Sequence, residues 1–96
     1  MTDPQAVAPV KVDNNRVRVT EWRFAPGAHT GHHRHEYAYV VVPLTTGSLV
    51  AIGASGETSN AMRVGDPYYR DAGVEHDVRN ANPFDFAFIE IELKAG

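Results

Sequence analysis

The sequence has 96 residues, no cysteine, and 9 basic against 12 acidic side chains, for a formal net charge of -3. This length makes one small domain, and the lack of cysteine excludes disulfides and thiolate metal ligands. The basic residues form no stripe suited to nucleic acid, and no apolar run approaches the roughly 20 residues of a membrane span. A bound metal or a partner subunit is therefore the expected source of extra stability.

The first 15 residues are predicted to form an N-terminal arm or an edge strand, followed by one β-domain over residues 16–96. The opening MTDPQAVAPV is acidic and lacks the charged start and apolar core of a signal peptide. With the absence of cysteine, this favours a cytoplasmic protein. The segment PVKVDNNRVRV offers an edge for pairing across a twofold axis, so a homodimer is expected.

Most of the chain has the period of two that is typical of strands. The predicted strands are 16–24, 33–42, 48–53, 58–64, 68–70, 75–80 and 84–93. In the first strand the apolar phase changes between Val19 and Trp22, which predicts a bulge near Thr20–Glu21. In the last strand, phenylalanines at 84, 86 and 88 share one face, and apolar residues at 89, 91 and 93 share the other.

These patterns predict an all-β fold. No segment has a sustained helical period, and no internal repeat is evident. Many short strands separated by turns indicate a single antiparallel β-barrel or jelly roll. One face of the last strand would line the barrel interior, and the other would meet a second sheet or a second subunit.

Four of the five histidines lie in HTGHHRHEY, residues 29–37. Residues two apart on a strand point to the same face, so His33 and His35 project together. On a regular strand Tyr37 and Tyr39 continue that face. Imidazole is the commonest metal ligand, and this pair predicts two ligands of one metal ion.

A third ligand must come from elsewhere, and His76 is the histidine outside the cluster. It follows a turn, on a strand that a barrel can place beside the first. His29 and His32 are predicted to be solvated bystanders, because they lie in the loop or on the opposite face. One of the two remains a candidate for a hydrogen bond to a metal-binding residue.

These residues resemble the two motifs of a small single-domain cupin. The first motif has Gly, five residues, His-x-His, then Glu and a closing Gly, and here Gly27 precedes His33-Arg34-His35 by that spacing, with Gly47 as the closing residue. The second has Gly, Pro-x-Gly, His and Asn, and here Gly65, Asp71-Ala72-Gly73, His76 and Asn80 stand in register. The resemblance covers residues 16 to 93 and implies a cupin β-barrel.

The chain departs from the family at the motif glutamate. That position falls on Tyr39 or Val40, depending on the gap, and neither is a carboxylate. Glu36 directly follows His35, so on a regular strand it points away. The resemblance therefore implies a metal site of His33, His35 and His76 without the usual glutamate. Tyr39 is the candidate catalytic residue, and Tyr37 is the other tyrosine considered as a contact to the metal or a bound ligand.

The resemblance implies one divalent transition metal, and Fe, Zn, Ni and Mn all remain open. Three protein ligands with open positions are typical of catalytic sites, and losing the carboxylate favours an anionic small-molecule ligand. Three-histidine cupin sites are similar to those of thiol and diketone dioxygenases. The predicted function is a metal-dependent oxygenase or isomerase acting on a small acidic metabolite. The alternative is a non-catalytic module that binds a small molecule or is stabilised by metal.

Overall fold

The computed structural model describes residues 4–94, and every regular element in this part of the chain is a β-strand. The strands are β1 (Val10–Asp13), β2 (Val17–Phe24), β3 (His33–Arg34), β4 (Ala38–Pro43), β5 (Gly47–Gly53), β6 (Gly56–Met62), β7 (Tyr68–Arg70), β8 (Glu75–Asn80) and β9 (Phe86–Leu93). Within the described range, no helix is long and apolar enough to cross a membrane.

The strands form two sheets, with orders β1-β2-β9-β4-β7 and β3-β8-β5-β6. All pairings between these strands are antiparallel, and partners such as β2 and β9 are distant in sequence. The predicted all-β jelly roll is therefore confirmed. The two sheets stay separate instead of closing into one cylinder. The edge strands β3 and β7, with 2 and 3 residues, are too short to join them by a ladder.

The core lies between the two sheets and follows the alternation of the strands. Phe86 and Phe88 of β9 point inward beside Val41 of β4, and Leu49 of β5 meets them from the opposite sheet. Each buried side chain of this size contributes about 1.5–3 kcal/mol to folding. The same inter-sheet space contains the predicted site.

The five-stranded sheet is also apolar on its outer face. Val19, Val40, Ile89 and Ile91 point away from the four-stranded sheet and are half-buried. Alternation along each strand requires this, because the flanking residues face the core. This outer face matters for the quaternary structure considered below.

Strand β2 is regular, so the predicted bulge near Thr20–Glu21 is wrong. It pairs residue for residue with β9, and the register shift lies in β1, between Val10 and Val12. The apolar residues of β2 change face along the strand, because Val19 points outward near its start and Trp22 inward near its end. A regular strand whose apolar residues move from one face to the other imitates a bulge in the sequence.

The predicted strand 33–42 is two strands, β3 and β4, separated by an irregular turn at residues 35–37. Residues 10–13 of the predicted N-terminal arm form edge strand β1, which pairs with β2. Residues 1–3 of that arm, and residues 95–96 of the predicted domain 16–96, lie outside the described range. The boundary at residue 16 stays a prediction.

Asn80, at the end of β8, joins three parts of the chain. It is 1% exposed, and its amide nitrogen lies 2.8 to 3.3 Å from the carbonyl oxygens of Phe24, Ala25 and Phe84. A buried amide is costly unless it is hydrogen-bonded, so these contacts favour one position of the strand end. They therefore fix the strand that carries His76.

Candidate metal centre

The fold brings the three predicted histidines together. β3 and β8 pair so that His33 lies directly opposite His76. His35 follows β3, and its backbone N–H donates to the carbonyl of Val74 at 2.9 Å, while its own carbonyl accepts from Gly73 at 2.8 Å. Gly73 has a φ of 96°, a conformation that favours glycine. These contacts hold His35 beside the other two, with 6% of its surface exposed.

The ring nitrogens converge on one point. Nε2 of His35 lies 3.0 Å from Nε2 of His33 and 3.2 Å from Nε2 of His76, and one ring nitrogen of each residue lies within 4.8 Å of the others. Two nitrogens bound about 2.1 Å from one ion, at an angle of about 90–110°, lie about 3.0–3.4 Å apart. Two of the three nitrogen pairs therefore have the spacing of ligands of one divalent transition metal, and the group of three could hold such an ion with coordination positions left for other ligands.

A hydrogen bond on the side of the ring away from the cluster fixes the orientation of His33. Its Nδ1 lies 2.9 Å from the carbonyl oxygen of Gly31, so Nδ1 carries the proton and donates this bond. Nε2 then keeps a free lone pair that points toward the other two histidines. A backbone carbonyl in this role is typical of metal-binding histidines.

Asp77 orders the loop that supplies this carbonyl. Its carboxylate accepts a hydrogen bond from the backbone N–H of Gly31 at 3.0 Å and contacts the Thr30 hydroxyl at 3.4 Å. Gly31 has a φ of 86°, which permits the tight turn. Asp77 therefore acts on His33 through the loop, and the sequence analysis missed this role.

Burial, reinforced by the neighbouring imidazoles, lowers the pKa of His35 and of His76 to about 4 in the metal-free protein. Both rings are thus neutral near pH 7. A metal ion binds neutral imidazole without displacing a proton, so the cluster is prepared for binding.

His29 and His32 lie outside the cluster. His32 contacts the Glu75 carboxylate at 2.8 Å on the exposed side of the strand pair. His29 is part-buried against Asp77, with Nδ1 3.1 Å from a carboxylate oxygen. His29 is thus not a solvated side chain; it belongs to the network behind His33.

Tyr39 occupies the inward position where the motif glutamate is expected, whereas Val40 points outward. Its ring lies flat against His35, with the centroids 4.0 Å apart, and the side chain is 3% exposed. Burial raises the pKa of Tyr39 well above its usual range, so the phenol is neutral. Tyr37 does not line the cavity at the histidines. A role in catalysis for Tyr39 stays a prediction.

The three histidines line a cavity of about 90 Å³ between the two sheets. Its other polar lining includes Trp22, Arg70 and Glu90. Arg70 is exposed, and its guanidinium carbon lies 4.5 Å from the centre of the Tyr68 ring. Its charge therefore lies where a ligand can meet both solvent and the cavity.

Glu90 is a second residue that the sequence analysis missed. It is 7% exposed, and burial, reinforced by the charge of Glu92, raises its pKa to about 7. The period of two does contain the signal, because Glu90 lies on the same face of β9 as Phe86 and Phe88. A carboxyl group on a strand face that is otherwise buried marks a candidate site residue.

Comparison with known proteins agrees with this architecture, although no family model matches the sequence. A β-alanine degradation protein, BauB of Pseudomonas aeruginosa, is 54% identical over 91 residues, which are 95% of this chain and 96% of that protein. A crystal structure of a cupin domain from Bordetella pertussis superposes with a TM-score of 0.97 at 49% identity, covering 99% of both chains.

A more distant structure shares the fold alone. A protein with a double-stranded β-helix domain from Klebsiella pneumoniae has a TM-score of 0.79 at 18% identity, covering 98% of this chain and 81% of that one. The matches to BauB and to the Bordetella pertussis cupin domain cover nearly the whole chain at about 50% identity. Together with both histidine motifs in register, they establish the family. The chain belongs to the cupin family.

Proposed function

We propose that this protein is a metal-dependent enzyme, of the oxygenase or isomerase type, that acts on a short carboxylic acid. The observation that carries the proposal is the convergence of His33, His35 and His76 in one small cavity. Three neutral ligands leave the charge of a divalent ion uncompensated, which favours an anionic substrate. When bound, the ion would polarise a coordinated substrate oxygen and stabilise charge developing on it.

The size of the cavity supports a short substrate. One water molecule needs at least about 10–15 Å³ of cavity on this measure, so the space admits about six to nine groups of that size. The volume of about 90 Å³ therefore suits an acid of three to five carbons. It is too small for a sugar phosphate or an aromatic acid without movement of the walls.

The charges at the cavity support an anionic substrate. Arg70 attracts an anion to the opening, since a cationic side chain at a cleft raises the local concentration of anions. Tyr39, a neutral phenol that lines the cavity beside His35, would donate a hydrogen bond to a substrate oxygen. We therefore keep Tyr39 as the candidate catalytic residue.

The similarity to BauB supports the same class of substrate. That protein is described by its part in β-alanine degradation, and it matches this chain over almost its full length. A role in the breakdown of a short amino acid or of an acid derived from it agrees with the cavity size and the charge. The similarity does not name the reaction.

Metal loading and turnover test this function. Untagged protein loaded in turn with Fe²⁺, Zn²⁺, Ni²⁺ or Mn²⁺ is expected to retain close to one ion of at least one of these metals per chain, measured by elemental analysis. Loaded protein is then incubated with three- to five-carbon acids. Oxygen uptake with Fe²⁺ would identify an oxygenase, and exchange of a C–H proton for deuterium without oxygen uptake would identify an isomerase. Thermal stabilisation by one acid with neither reaction would favour the non-catalytic binding module.

We also propose a homodimer through the outer face of the five-stranded sheet. The half-buried Val19, Val40, Ile89 and Ile91 give this face the apolar character of an interface. Sedimentation at micromolar concentration is expected to give the mass of two chains, and Ile91→Glu should give the mass of one. Thr58→Glu, on exposed β6, should not change the mass. A single-chain mass for the unmodified protein would contradict the dimer.

A further inference from the structure

Glu90 is the carboxyl group in the described lining of the cavity, and the proposed metal centre does not use it. It comes from β9, in the five-stranded sheet, whereas His33 and His76 come from the paired strands β3 and β8 of the other sheet. It borders the same cavity, and its carboxyl forms no ion pair within residues 4–94. A buried carboxyl without a countercharge is costly, so its presence in this wall needs an explanation.

Trp22 gives the second observation. Its indole N–H is the buried side-chain polar atom without a hydrogen-bond partner in the described part of the chain. Trp22 pairs with Phe88, so it lies diagonally across the β2–β9 pair from Glu90, and its N–H lowers the pKa of that carboxyl. The Trp22 ring is also stacked 6.4 Å from the His33 ring. Trp22 therefore lies beside both Glu90 and His33.

When Glu90 is neutral, Trp22 and Glu90 together can offer a hydrogen-bond donor to the cavity. One oxygen of a carboxylic acid accepts hydrogen bonds and the other donates one. If the indole N–H is directed at the accepting oxygen, the O–H remains for a group inside the cavity. Glu92 raises the pKa of the Glu90 carboxyl and Arg18 lowers it. In the described cavity lining, Tyr39 and Tyr68 contribute neutral phenols and Arg70 contributes a positive charge.

We propose that the Glu90 carboxyl binds the carbonyl oxygen at the free end of a short oxo acid, whose carboxylate end is held at the three-histidine centre. The inference rests on the proposed function and names its substrate class. A carbonyl oxygen matches an O–H donor, whereas an alkyl end would leave the carboxyl unpaired. An ammonium end would require an ionised carboxylate, which burial disfavours here.

No ion pair in the described part of the chain involves this carboxyl. Glutamine has the same shape and avoids the cost of a buried charge, so a site selected for stability alone would favour it. A residue that lowers stability and lines a cavity is best explained by what binds there. Trp22 is then a positioning residue, because it directs the carboxyl and does not need to touch the ligand.

Calorimetric titration of Zn²⁺-loaded protein at about pH 6 tests the proposal, with zinc chosen because it supports no redox turnover. The probes are the oxo acids acetoacetate and levulinate, matched with butyrate and pentanoate, which lack the oxo oxygen. At least one oxo acid is expected to bind about tenfold more tightly than its matched acid, the effect of one or two net hydrogen bonds. Metal content is measured on the same samples.

Variants separate hydrogen bonding from packing. Glu90→Gln should keep most of the preference for the oxo acid, because its amide N–H also donates. Glu90→Met fills similar space without a hydrogen-bond donor. It should reduce the ratio of the affinities for the oxo acid and its matched plain acid to about one, with the affinity for butyrate unchanged. Trp22→Phe should weaken the preference several-fold while the plain acids bind as before. Glu57→Gln, on the exposed strand β6, is the control and should change nothing.

Three results would overturn the proposal. Equal binding of oxo acid and plain acid by the unmodified protein would remove the oxygen subsite while leaving the metal centre intact. Tighter binding of β-alanine than of either oxo acid, abolished in Glu90→Gln, would assign the subsite to an ammonium group instead. Absence of zinc together with absence of binding by every acid would contradict the proposed function, and the subsite with it.

Discussion

Replacing His76 with alanine is expected to reduce the metal content from close to one ion per chain to a small fraction of that. Two imidazoles remain, His33 in β3 and His35 just after it, and two ligands from one short segment do not enclose an ion. Removing a group that hydrogen-bonds a metal-binding side chain typically lowers metal affinity 10–100-fold. Removing the metal-binding side chain itself should therefore lower it at least about 100-fold. Elemental analysis after dialysis measures the loss directly.

Thermal unfolding gives an independent measure of the same change. A metal present at about 100 times its dissociation constant stabilises the folded protein by about 2.7 kcal/mol, and this stabilisation should disappear in His76→Ala. His29→Ala is the comparison variant: His29 lies behind the site against Asp77, so its loss should weaken binding by about tenfold, against at least about 100-fold for His76→Ala. If His29→Ala emptied the site and His76→Ala did not, the ligand assignment would be wrong.

Replacing Glu90 with glutamine is expected to stabilise the metal-free protein increasingly as the pH rises. The folded-state pKa of Glu90 is raised from 4.5 to about 7, so the folded protein binds the proton more tightly than the unfolded chain. Below pH 4.5 the carboxyl is neutral in both the folded and the unfolded protein. The difference in free energy of unfolding between the native protein and the variant is therefore independent of pH there. As the pH rises from 4.5 through 7, the native protein loses about 3 kcal/mol relative to the variant.

Urea unfolding at about pH 4.5 and about pH 8 measures this difference. His35 and His76 titrate in both proteins, so their contribution cancels in the comparison. Glu57→Gln should show the same difference from the native protein at both pH values, since Glu57 is exposed. A stability difference between native protein and Glu90→Gln that is the same at both pH values would mean that Glu90 is not buried as described.

The sequence was sufficient to predict the three histidines because they lie within two spaced motifs. Strand alternation paired His33 with His35, and the second motif supplied His76. The direct pairing of His33 with His76 across β3 and β8 is a register that one sequence does not contain. The cluster could therefore be predicted, but its geometry could not.

The break after His35 could not be predicted, because it depends on contacts distant in sequence. The backbone of His35 bonds to Val74 and Gly73, which lie almost forty residues away. Locally, HRHEYAYVVV has the composition of one continuous strand. The bulge assigned to β2 failed for a different reason: its apolar residues lie on the outward face in the first half and on the inward face in the second, so the phase changes without a bulge.

Glu90 and Asp77 show two different limits of the sequence. The inward direction of Glu90 follows from its alternation with Phe86 and Phe88, so it could have been predicted from the faces of β9. Asp77 acts through Gly31 and the loop before β3, and nothing in its own strand indicates this contact. Residues that support a ligand through a loop need the fold before they can be identified.

Anomalous diffraction from crystals of the metal-loaded protein tests the central claim most directly. The account predicts one strong peak per chain, about 2.1 Å from Nε2 of His33, His35 and His76 together. No comparable peak should occur between His29 and Asp77. A peak at His29 or His32 with none at the three convergent nitrogens, or no peak at all in crystals soaked with each of the four metals, would contradict it.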